Sequence, residues 1–285
     1  MNMHIESHLE TIRACRFCFM CRHLSPVGNV TFRESDTPRG RALLLDKVWA
    51  NPKVLREPDF RDAVFRADLS AACRHHCVSH YDEAGVILAA RRDIVDSGCA
   101  PVEVAALAKE MAAGVITAHG AGRSDIVYYV DQHTAGHHPE ISVAMELVLK
   151  AAGLSYRIVS GADSGKALAV LGYWDEARKL AAKVAAALMV PSAKTILVSC
   201  PAAYDAFLSD YPRLGIPFPA GVEILHSSEL IGRLISEGQI KGQNATSLKV
   251  FPLASDYLKN YRSGTGDIGA ILTALGVKGA SFGTN

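Results

Sequence analysis

The sequence lacks the features by which several large protein classes are recognised. No apolar run approaches the eighteen or so residues that a membrane-spanning helix needs. The opening Met-Asn-Met-His shows neither the basic nor the apolar part of a secretory leader. The formal net charge is only +1, which argues against general nucleic-acid binding. We therefore expect a cytoplasmic protein that is not transmembrane and binds no nucleic acid.

The seven cysteines do not suggest a disulfide framework. Their number is odd, and three of them lie at the spacing of metal ligands, a pattern that suits a reducing compartment. Apolar residues make up 49% of the 285 residues, which is enough for one large core or two modest ones.

The N-terminal part of the chain carries a C-x2-C-x2-C run formed by Cys15, Cys18 and Cys21. Three thiolates at this spacing can wrap one corner of an iron–sulfur cubane, because each intervening pair of residues lets the backbone turn back toward the cluster. In bacterial ferredoxins the run continues with three residues, a fourth cysteine and a proline, and the fourth cysteine binds the other cluster of a two-cluster protein. Here Ser25 occupies that fourth place, and Pro26 follows it.

A second, incomplete run lies downstream. Cys73 and Cys77 fit its last two places, whereas Ala67 and Ser70 occupy the first two. If the ligands are crossed between the runs, one cluster keeps a full set. The ligands predicted for a single [4Fe–4S] cluster are Cys15, Cys18, Cys21 and Cys77. The other cluster would rely on Ala67, Ser70, Cys73 and Ser25, so we expect that second site to be empty.

Two other interpretations of the cysteines remain open. One is structural zinc, because thiolates and neutral imidazoles both bind it and four histidines lie near the runs: His23, His75, His76 and His80. The other is a set of reduced cysteines without a metal, since free cysteine often serves as a small core residue. We expect Cys73 to be such a core residue; the alternative is that it replaces Cys77 as a ligand.

The chain is predicted to form two domains, at 1–110 and 111–285. Apolar spacing in the first part predicts helices, which are placed at 5–14, after the turn within 31–45, and at 61–77, 85–96 and 102–113. The second part alternates short apolar strands with helices, the order that predicts a mainly parallel sheet. Its strands are predicted at 126–130, 156–160, 195–200, 222–226 and 247–252. The expected fold class is α/β, with an N-terminal α-helical ferredoxin-like cluster domain followed by a Rossmann-like parallel-sheet domain.

Several motifs accompany the cysteine runs. They are Arg33-Glu-Ser-Asp-Thr-Pro-Arg-Gly-Arg41, Leu171-Gly-Tyr-Trp-Asp-Glu-Ala-Arg178, Val198-Ser-Cys-Pro201, Tyr211-Pro212 and His226-Ser-Ser-Glu-Leu230. A chain with these motifs resembles the iron–sulfur subunits of FAD-linked 2-hydroxy-acid dehydrogenases, such as the glycolate oxidase iron–sulfur subunit, and related heterodisulfide reductase subunits with a cysteine-rich domain. The resemblance implies an electron-transfer subunit with no catalytic residue of its own. It would relay single electrons from FAD on a partner subunit to a quinone, a cytochrome or another carrier, and would meet the inner membrane only through such partners.

The second part departs from that family where the family carries cysteines for a further iron–sulfur centre. The matching places read Asp131-Gln132, Asp163-Ser-Gly165 and Cys200-Pro-Ala-Ala-Tyr204, so only Cys200 survives. Because thiolates are needed to hold such a centre, we expect none in this part and no heterodisulfide reduction. Cys200 precedes a predicted helix, a position that can lower the pKa of a thiol.

Other residues suggest further hypotheses. A basic collar around the first run would meet an acidic partner; its members are Arg16, Arg22, Arg33, Arg39 and Arg41. The alternative function is a non-redox scaffold subunit stabilised by zinc. A third hypothesis is an independent enzyme that uses the sheet crevice, with Asp131, His133, His137 and His138. Residues 161–166, Gly-Ala-Asp-Ser-Gly-Lys, lack the spacing of a Walker phosphate loop.

Overall fold

The computed structural model describes residues 3–120, 122–242, 249–262 and 268–279. Within them the chain forms two compact units. The first runs through Ala112 and also takes in Ala167–Ala177, and the second holds the other described residues from Ala113 onward. Residues 167–177 fall within the second predicted domain, 111–285, and local sequence patterns do not indicate which core a helix packs against.

The first unit is helical. It contains 3₁₀ turns at His4–His8, Arg22–Leu24, Glu34–Asp36 and Pro52–Arg56. Its α-helices are α1 (Leu9–Arg13), α2 (Pro26–Thr31), α3 (Pro38–Ala50), α4 (Pro58–Phe65), α5 (Cys73–His76), α6 (Glu83–Asp96) and α7 (Val102–Ala112). The helices predicted at 85–96 and 102–113 are confirmed to within two residues.

The single helix predicted over 61–77 is wrong. Helix α4 ends at Phe65, and the short α5 begins only at Cys73. Between them Leu69 and Ala71 adopt left-handed backbone conformations, with φ of 56° and 55°. A right-handed helix cannot pass through such residues, so the second cysteine run is carried by a loop and one helical turn.

The cysteine loops pack against the core of the first unit. Ile5, Leu45, Ile87 and Ile94 are at most 2% exposed and belong to one apolar cluster. Cys15, Cys21 and Cys77 are partly buried and pack against this cluster. The apolar residues that flank the runs in sequence therefore fix where the thiols lie.

The second unit is built on a five-stranded sheet of order β1-β3-β2-β4-β5. Its strands are β1 (Thr117–Gly120), β2 (Ile126–Val130), β3 (Tyr156–Ser160), β4 (Thr195–Val198) and β5 (Glu223–His226). Strands β2 to β5 are parallel, and β1 pairs with β3 in the antiparallel sense at one edge. In register, Tyr128 lies between Ile158 and Leu197, and Leu197 lies opposite Leu225. The predicted mixed α/β class with a mainly parallel sheet is confirmed.

Further helices follow β2 along the chain. They are α8 (Gln132–His137), α9 (Pro139–Ala151), α10 (Lys166–Leu171), α11 (Trp174–Leu188), α12 (Pro201–Asp205), α13 (Tyr211–Arg213), α14 (Ser227–Ser236) and α15 (Ile268–Ala274). Two π-helical turns are present at Ala206–Asp210 and Tyr257–Tyr261. None of the helices in the described part of the chain has the length and apolar content needed to span a bilayer.

The strands predicted at 126–130 and 156–160 are confirmed residue for residue. Every residue of β2 is buried, and a strand covered on both faces appears in sequence as a continuous apolar run. Strand β1 was missed because all four of its residues are exposed. The strand predicted at 195–200 ends at Val198. Of the strand predicted at 247–252, only β6 (Lys249–Val250) forms, paired with β7 (Lys278–Gly279) in a separate sheet; positions 247 and 248 lie outside the described residues.

Candidate metal centre

One small pocket in the first unit gathers five of the seven thiols. All four predicted ligands line it, together with the cysteine that was expected to be a core residue; the five are Cys15, Cys18, Cys21, Cys73 and Cys77. The free volume of the pocket is about 30 Å³. Two runs more than fifty residues apart in sequence therefore meet at one place.

Short elements position each of these thiols. Cys15 and Cys18 lie in the loop after α1, Cys21 precedes the 3₁₀ turn Arg22–Leu24, Cys73 opens α5 and Cys77 caps its end. Cys18 is exposed, whereas Cys73 is only 3% exposed. All seven cysteines are free thiols. Cys73 is thus both a core residue, as predicted, and a residue of the pocket wall.

The backbone is strained beside these thiols. Phe17, between Cys15 and Cys18, adopts φ of 53°, and His80, shortly after Cys77, adopts 47°. With Leu69 and Ala71, four of the five non-glycine residues of positive φ in the described chain border the cysteine runs. Such conformations cost about 1–3 kcal/mol each and cluster at functional sites.

Burial favours the neutral form of three of these thiols, Cys15, Cys21 and Cys73. Desolvation raises the pKa of Cys15 and of Cys21, and it raises the pKa of Cys73 far more strongly. Hydrogen bonds from the backbone N–H groups of Phe17 and Arg39 oppose the shift at Cys15 and Cys21, respectively. A bound cation would reverse this balance, because ligation takes the thiolate and releases the proton.

The N-terminus of α3 faces the pocket, which explains the motif at 33–41. Thr37 caps the helix: its Oγ1 accepts a hydrogen bond from the Gly40 N–H (3.2 Å) and donates to the Glu34 carbonyl oxygen (2.7 Å). A Cβ on Gly40 would lie 1.9 Å from that same carbonyl oxygen, so only glycine fits. This turn directs the Arg39 N–H to Cys21, and helix N-terminal N–H groups favour a thiolate.

The Arg39 side chain ties the first cysteine loop to α3. Its Nη1 donates to the Phe17 carbonyl oxygen (3.1 Å), its guanidinium lies 4.0 Å from the centre of the Phe19 ring, and its Nε pairs with Glu34. Arg39 and Arg16 both line the pocket. Two members of the predicted basic collar therefore lie at the thiols, where a positive charge offsets thiolate charge.

Arg41, by contrast, does not belong to the collar, and this part of the prediction is wrong. It is 1% exposed and donates to Glu83 Oε1 (2.5 Å), the Asp36 carbonyl oxygen (2.8 Å) and the Ala63 carbonyl oxygen (3.2 Å). A fully paired, buried guanidinium meets no partner protein. Its role is to hold the turn before α3 against α4 and α6.

Ser25, at the place of the missing fourth cysteine, has a structural role. It is 2% exposed, and its Oγ accepts from the Gly28 N–H (3.1 Å) and donates to the Asp36 carbonyl oxygen (2.9 Å). It is the N-cap of α2, with Pro26 in the first turn. Serine is among the preferred residues at this position.

One polar atom at the pocket has no partner. Tyr81 lines the pocket and is 2% exposed, and its hydroxyl makes no hydrogen bond with any residue that the structure describes. Its pKa is raised well above the usual value, first by burial and then by Glu83, Cys15 and Cys73. A buried hydroxyl without a partner is uncommon, and sequence reasoning did not single out this residue because a tyrosine carries no spacing signal.

The residues fit a group held by thiolates, but they do not already form its cage. Within the described residues, no set of three or more His, Cys, Asp or Glu side chains is arranged so that it could hold a metal ion as it stands. The thiols line one pocket without converging on one point. The histidines near the runs are not among the residues that line the pocket, and His80 Nδ1 instead lies 2.9 Å from the Arg74 carbonyl oxygen.

The second unit brings other predicted residues to the carboxyl ends of its parallel strands. Asp131 follows β2, and Cys200 follows β4 beside it, at the point where the strand connections change direction. Ligands bind at such points in α/β sheets. Burial and the Asp131 carboxylate raise the pKa of Cys200 to about 12. The suggestion of a lowered thiol pKa is therefore wrong, since desolvation outweighs the two backbone N–H groups of α12.

The three histidines of the enzyme hypothesis do come together. The ring of His133 lies 4.7 Å from that of His137 and 5.6 Å from that of His138, both edge to face. All three are exposed, and His138 Nδ1 lies 3.3 Å from Glu140 Oε1. Asp131 points elsewhere: its carboxylate caps α8 by accepting from the Thr134 N–H (3.0 Å) and hydroxyl (2.6 Å).

Lys166, at the end of the glycine-containing loop, is committed to a buried ion-pair network. Its Nζ donates to Asp205 and to Asp210, both at 2.7 Å, and Arg262 Nε donates to Asp205 Oδ1 at 3.0 Å. Burial alone would lower the pKa of Lys166, but the two carboxylates outweigh it and raise the pKa. This lysine therefore fixes the fold of the second unit, and a role in phosphate binding has no support.

No protein-family model matches the chain, and comparison with curated proteins and with solved structures yields no match. The resemblance to iron–sulfur subunits accordingly rests on the sequence motifs alone.

Proposed function

We propose that this chain is an electron-transfer subunit that holds one [4Fe–4S] cluster and serves a flavin-dependent dehydrogenase. The observation that carries the proposal is the meeting of the two cysteine runs in one pocket. Cys15, Cys18, Cys21 and Cys77, the set that crossed ligation selects, all line it. In this proposal the first unit is the ferredoxin-like domain and the second, Rossmann-like unit is a docking platform.

The surroundings of the thiols suit such a cluster. When bound, the cluster supplies one-electron transfer at a potential that depends on charge, hydrogen bonds to sulfur and solvent exposure. The chain's own residues set these quantities. Arg39 places a positive charge and a backbone N–H at the ligands, and Cys73 and the core wall exclude water from the inner side.

The partner follows from electron counting and from the family resemblance. Oxidation of a 2-hydroxy acid by FAD yields two electrons, whereas a single cubane takes one at a time. FAD on a partner subunit would donate the electrons singly, and a quinone, a cytochrome or another carrier would accept them. Cys18, Phe19 and Met20 are exposed at the outer side of the loop, which favours this loop as the point of electron entry or exit.

The first test is iron and acid-labile sulfide per chain in protein purified without oxygen. We expect about four iron atoms per chain, lost in Cys77→Ala and retained in Cys73→Ala. Cys99→Ala is the matched control, because Cys99 belongs to the same unit but does not line the pocket. Loss of iron in Cys73→Ala with retention in Cys77→Ala would reverse the ligand assignment, and protein without iron and sulfide would refute the proposal.

Structural zinc is the second candidate for the group bound in this pocket, and the lining residues favour one type of zinc site. Since only cysteines among the usual zinc ligands line the pocket, zinc would take a four-cysteine site. The same purified protein discriminates the two candidates. One equivalent of zinc without sulfide, and without absorption in the visible range, would favour the scaffold subunit.

A further inference from the structure

Among the described residues that line the pocket of thiols, Tyr81 is the one tyrosine. The residue follows Cys77 by four positions, lies just before α6 and is 2% exposed. In the described structure its hydroxyl has no hydrogen-bond partner. An unpaired buried hydroxyl destabilises the folded chain, and an acceptor supplied by a group bound in the pocket would remove that cost.

The groups around Tyr81 restrict what that partner is. Cys15 and Cys73 lie close enough to influence its ionisation, as does Glu83. Glu83 is engaged by Arg41 at 2.5 Å, and the thiols are poor acceptors while they are protonated. Sulfur that carries negative charge is a much better acceptor, and a bound metal or cluster would place such sulfur beside Tyr81.

We propose that Tyr81 is a positioning residue that donates its hydroxyl proton in a hydrogen bond to a sulfur atom of the thiolate-bound centre. This inference rests on the proposed function and deepens it. The hydrogen bond stabilises negative charge on sulfur, and the reduced cluster carries one more negative charge than the oxidised one. The hydroxyl therefore favours the reduced state and raises the reduction potential.

The test removes the hydroxyl and keeps the ring. In Tyr81→Phe, anaerobically purified with its cluster, we expect unchanged iron and sulfide content. The equilibrium for one-electron reduction should become about tenfold less favourable, which is a potential lower by about 59 mV, measured by a redox titration followed by electron paramagnetic resonance. Tyr173→Phe is the matched control, because Tyr173 belongs to the same unit and does not line the pocket; its potential should equal that of the wild type.

A second measurement uses the metal-free protein and keeps the inference refutable if the potential is hard to obtain. Without a cluster the hydroxyl has no partner, so the thermal midpoint of metal-free Tyr81→Phe should equal or exceed that of metal-free wild type. With the cluster bound, the order should reverse. A lower midpoint in the metal-free variant would show that the hydroxyl is already paired and would overturn the inference.

The outcomes separate this inference from the proposed function. A cluster bound with an unchanged potential in Tyr81→Phe refutes the role of Tyr81 and leaves the proposed function standing. Wild-type protein without iron and sulfide refutes both. A potential that falls equally in Tyr81→Phe and Tyr173→Phe indicates a general effect of removing hydroxyls and also refutes the role.

Discussion

Replacement of Gly40 by alanine tests the link between the α3 N-terminus and the cysteine pocket. A Cβ at this position would lie 1.9 Å from the Glu34 carbonyl oxygen and 2.7 Å from its carbonyl carbon. Both are backbone atoms, so the 3₁₀ turn Glu34–Asp36 must move by more than 1 Å to reach ordinary contact distance. That turn also receives the hydrogen bonds of Thr37, Arg41 and Ser25.

Two destabilising effects and one stabilising effect determine the change in the free energy of unfolding. Overpacking costs about 1–3 kcal/mol, and disturbing the Thr37 cap costs about 1 kcal/mol. Alanine regains about 1 kcal/mol relative to glycine inside a helix. We expect Gly40→Ala to lower the free energy of unfolding of the first unit by about 2 kcal/mol, and to lower the urea midpoint by about 1 M.

Tryptophan fluorescence is the suitable assay, because both tryptophans of the chain, Trp49 and Trp174, belong to the first unit. Gly28→Ala is the graded control: its Cβ would meet its nearest atoms at 3.2–3.3 Å, so neighbours need to move only a few tenths of an ångström. Unfolding of Gly40→Ala at the same urea concentration as Gly28→Ala, or at a higher one, would refute this prediction.

Two further predictions concern the second unit. Lys166→Met removes the cation that pairs with the buried Asp210 and leaves Asp205 with Arg262 alone, and removing one partner of a buried pair costs about 3–5 kcal/mol. Calorimetry should show the loss, whereas Lys150→Met, which breaks an exposed contact of 3.5 Å with Glu146, should leave the thermal midpoint unchanged. Cys200 should resist iodoacetamide at pH 8 in the native protein, because its pKa of about 12 keeps it protonated there, and its reaction should accelerate as the pH rises toward that value. Peptide mass spectrometry compares its labelling in the native and in the urea-unfolded chain, and equal labelling of Cys200 in the two states at pH 8 would contradict the expectation. Since the pKa of Cys200 is raised on folding, the stability that this thiol contributes is complete below the ordinary thiol pKa of 9.0 and is lost as the pH rises from there through about 12.

Arg39 reaches the pocket with both its side chain and its backbone. Its guanidinium contacts the first cysteine loop directly, and its backbone N–H reaches Cys21. Both contributions favour negative charge on sulfur. Of the other predicted collar residues, Arg16 also lines the pocket, whereas Arg22 and Arg33 do not.

The elements were predictable where local sequence controls them. The buried strand at 126–130 and the helices at 85–96 and 102–113 follow from apolar periodicity. The helix predicted over 61–77 failed because Leu69 and Ala71 take left-handed conformations that no propensity indicates. Strand β1 exists because β3 offers an edge for pairing, and its own four exposed residues carry no pattern.

The sequence by itself determined which ligand types are present and how they are spaced: three thiols in one run and two in another, with serine and alanine at the lost positions. It also determined the alternation that yields a mainly parallel sheet. Only the tertiary structure decided that both runs share one pocket, that Arg41 is buried while Arg39 reaches the thiols, that Lys166 serves an ion-pair network, and that the Tyr81 hydroxyl is left without a partner. The physical reason is that spacing fixes local geometry, whereas burial and pairing depend on residues that are distant in sequence and meet only when the core forms.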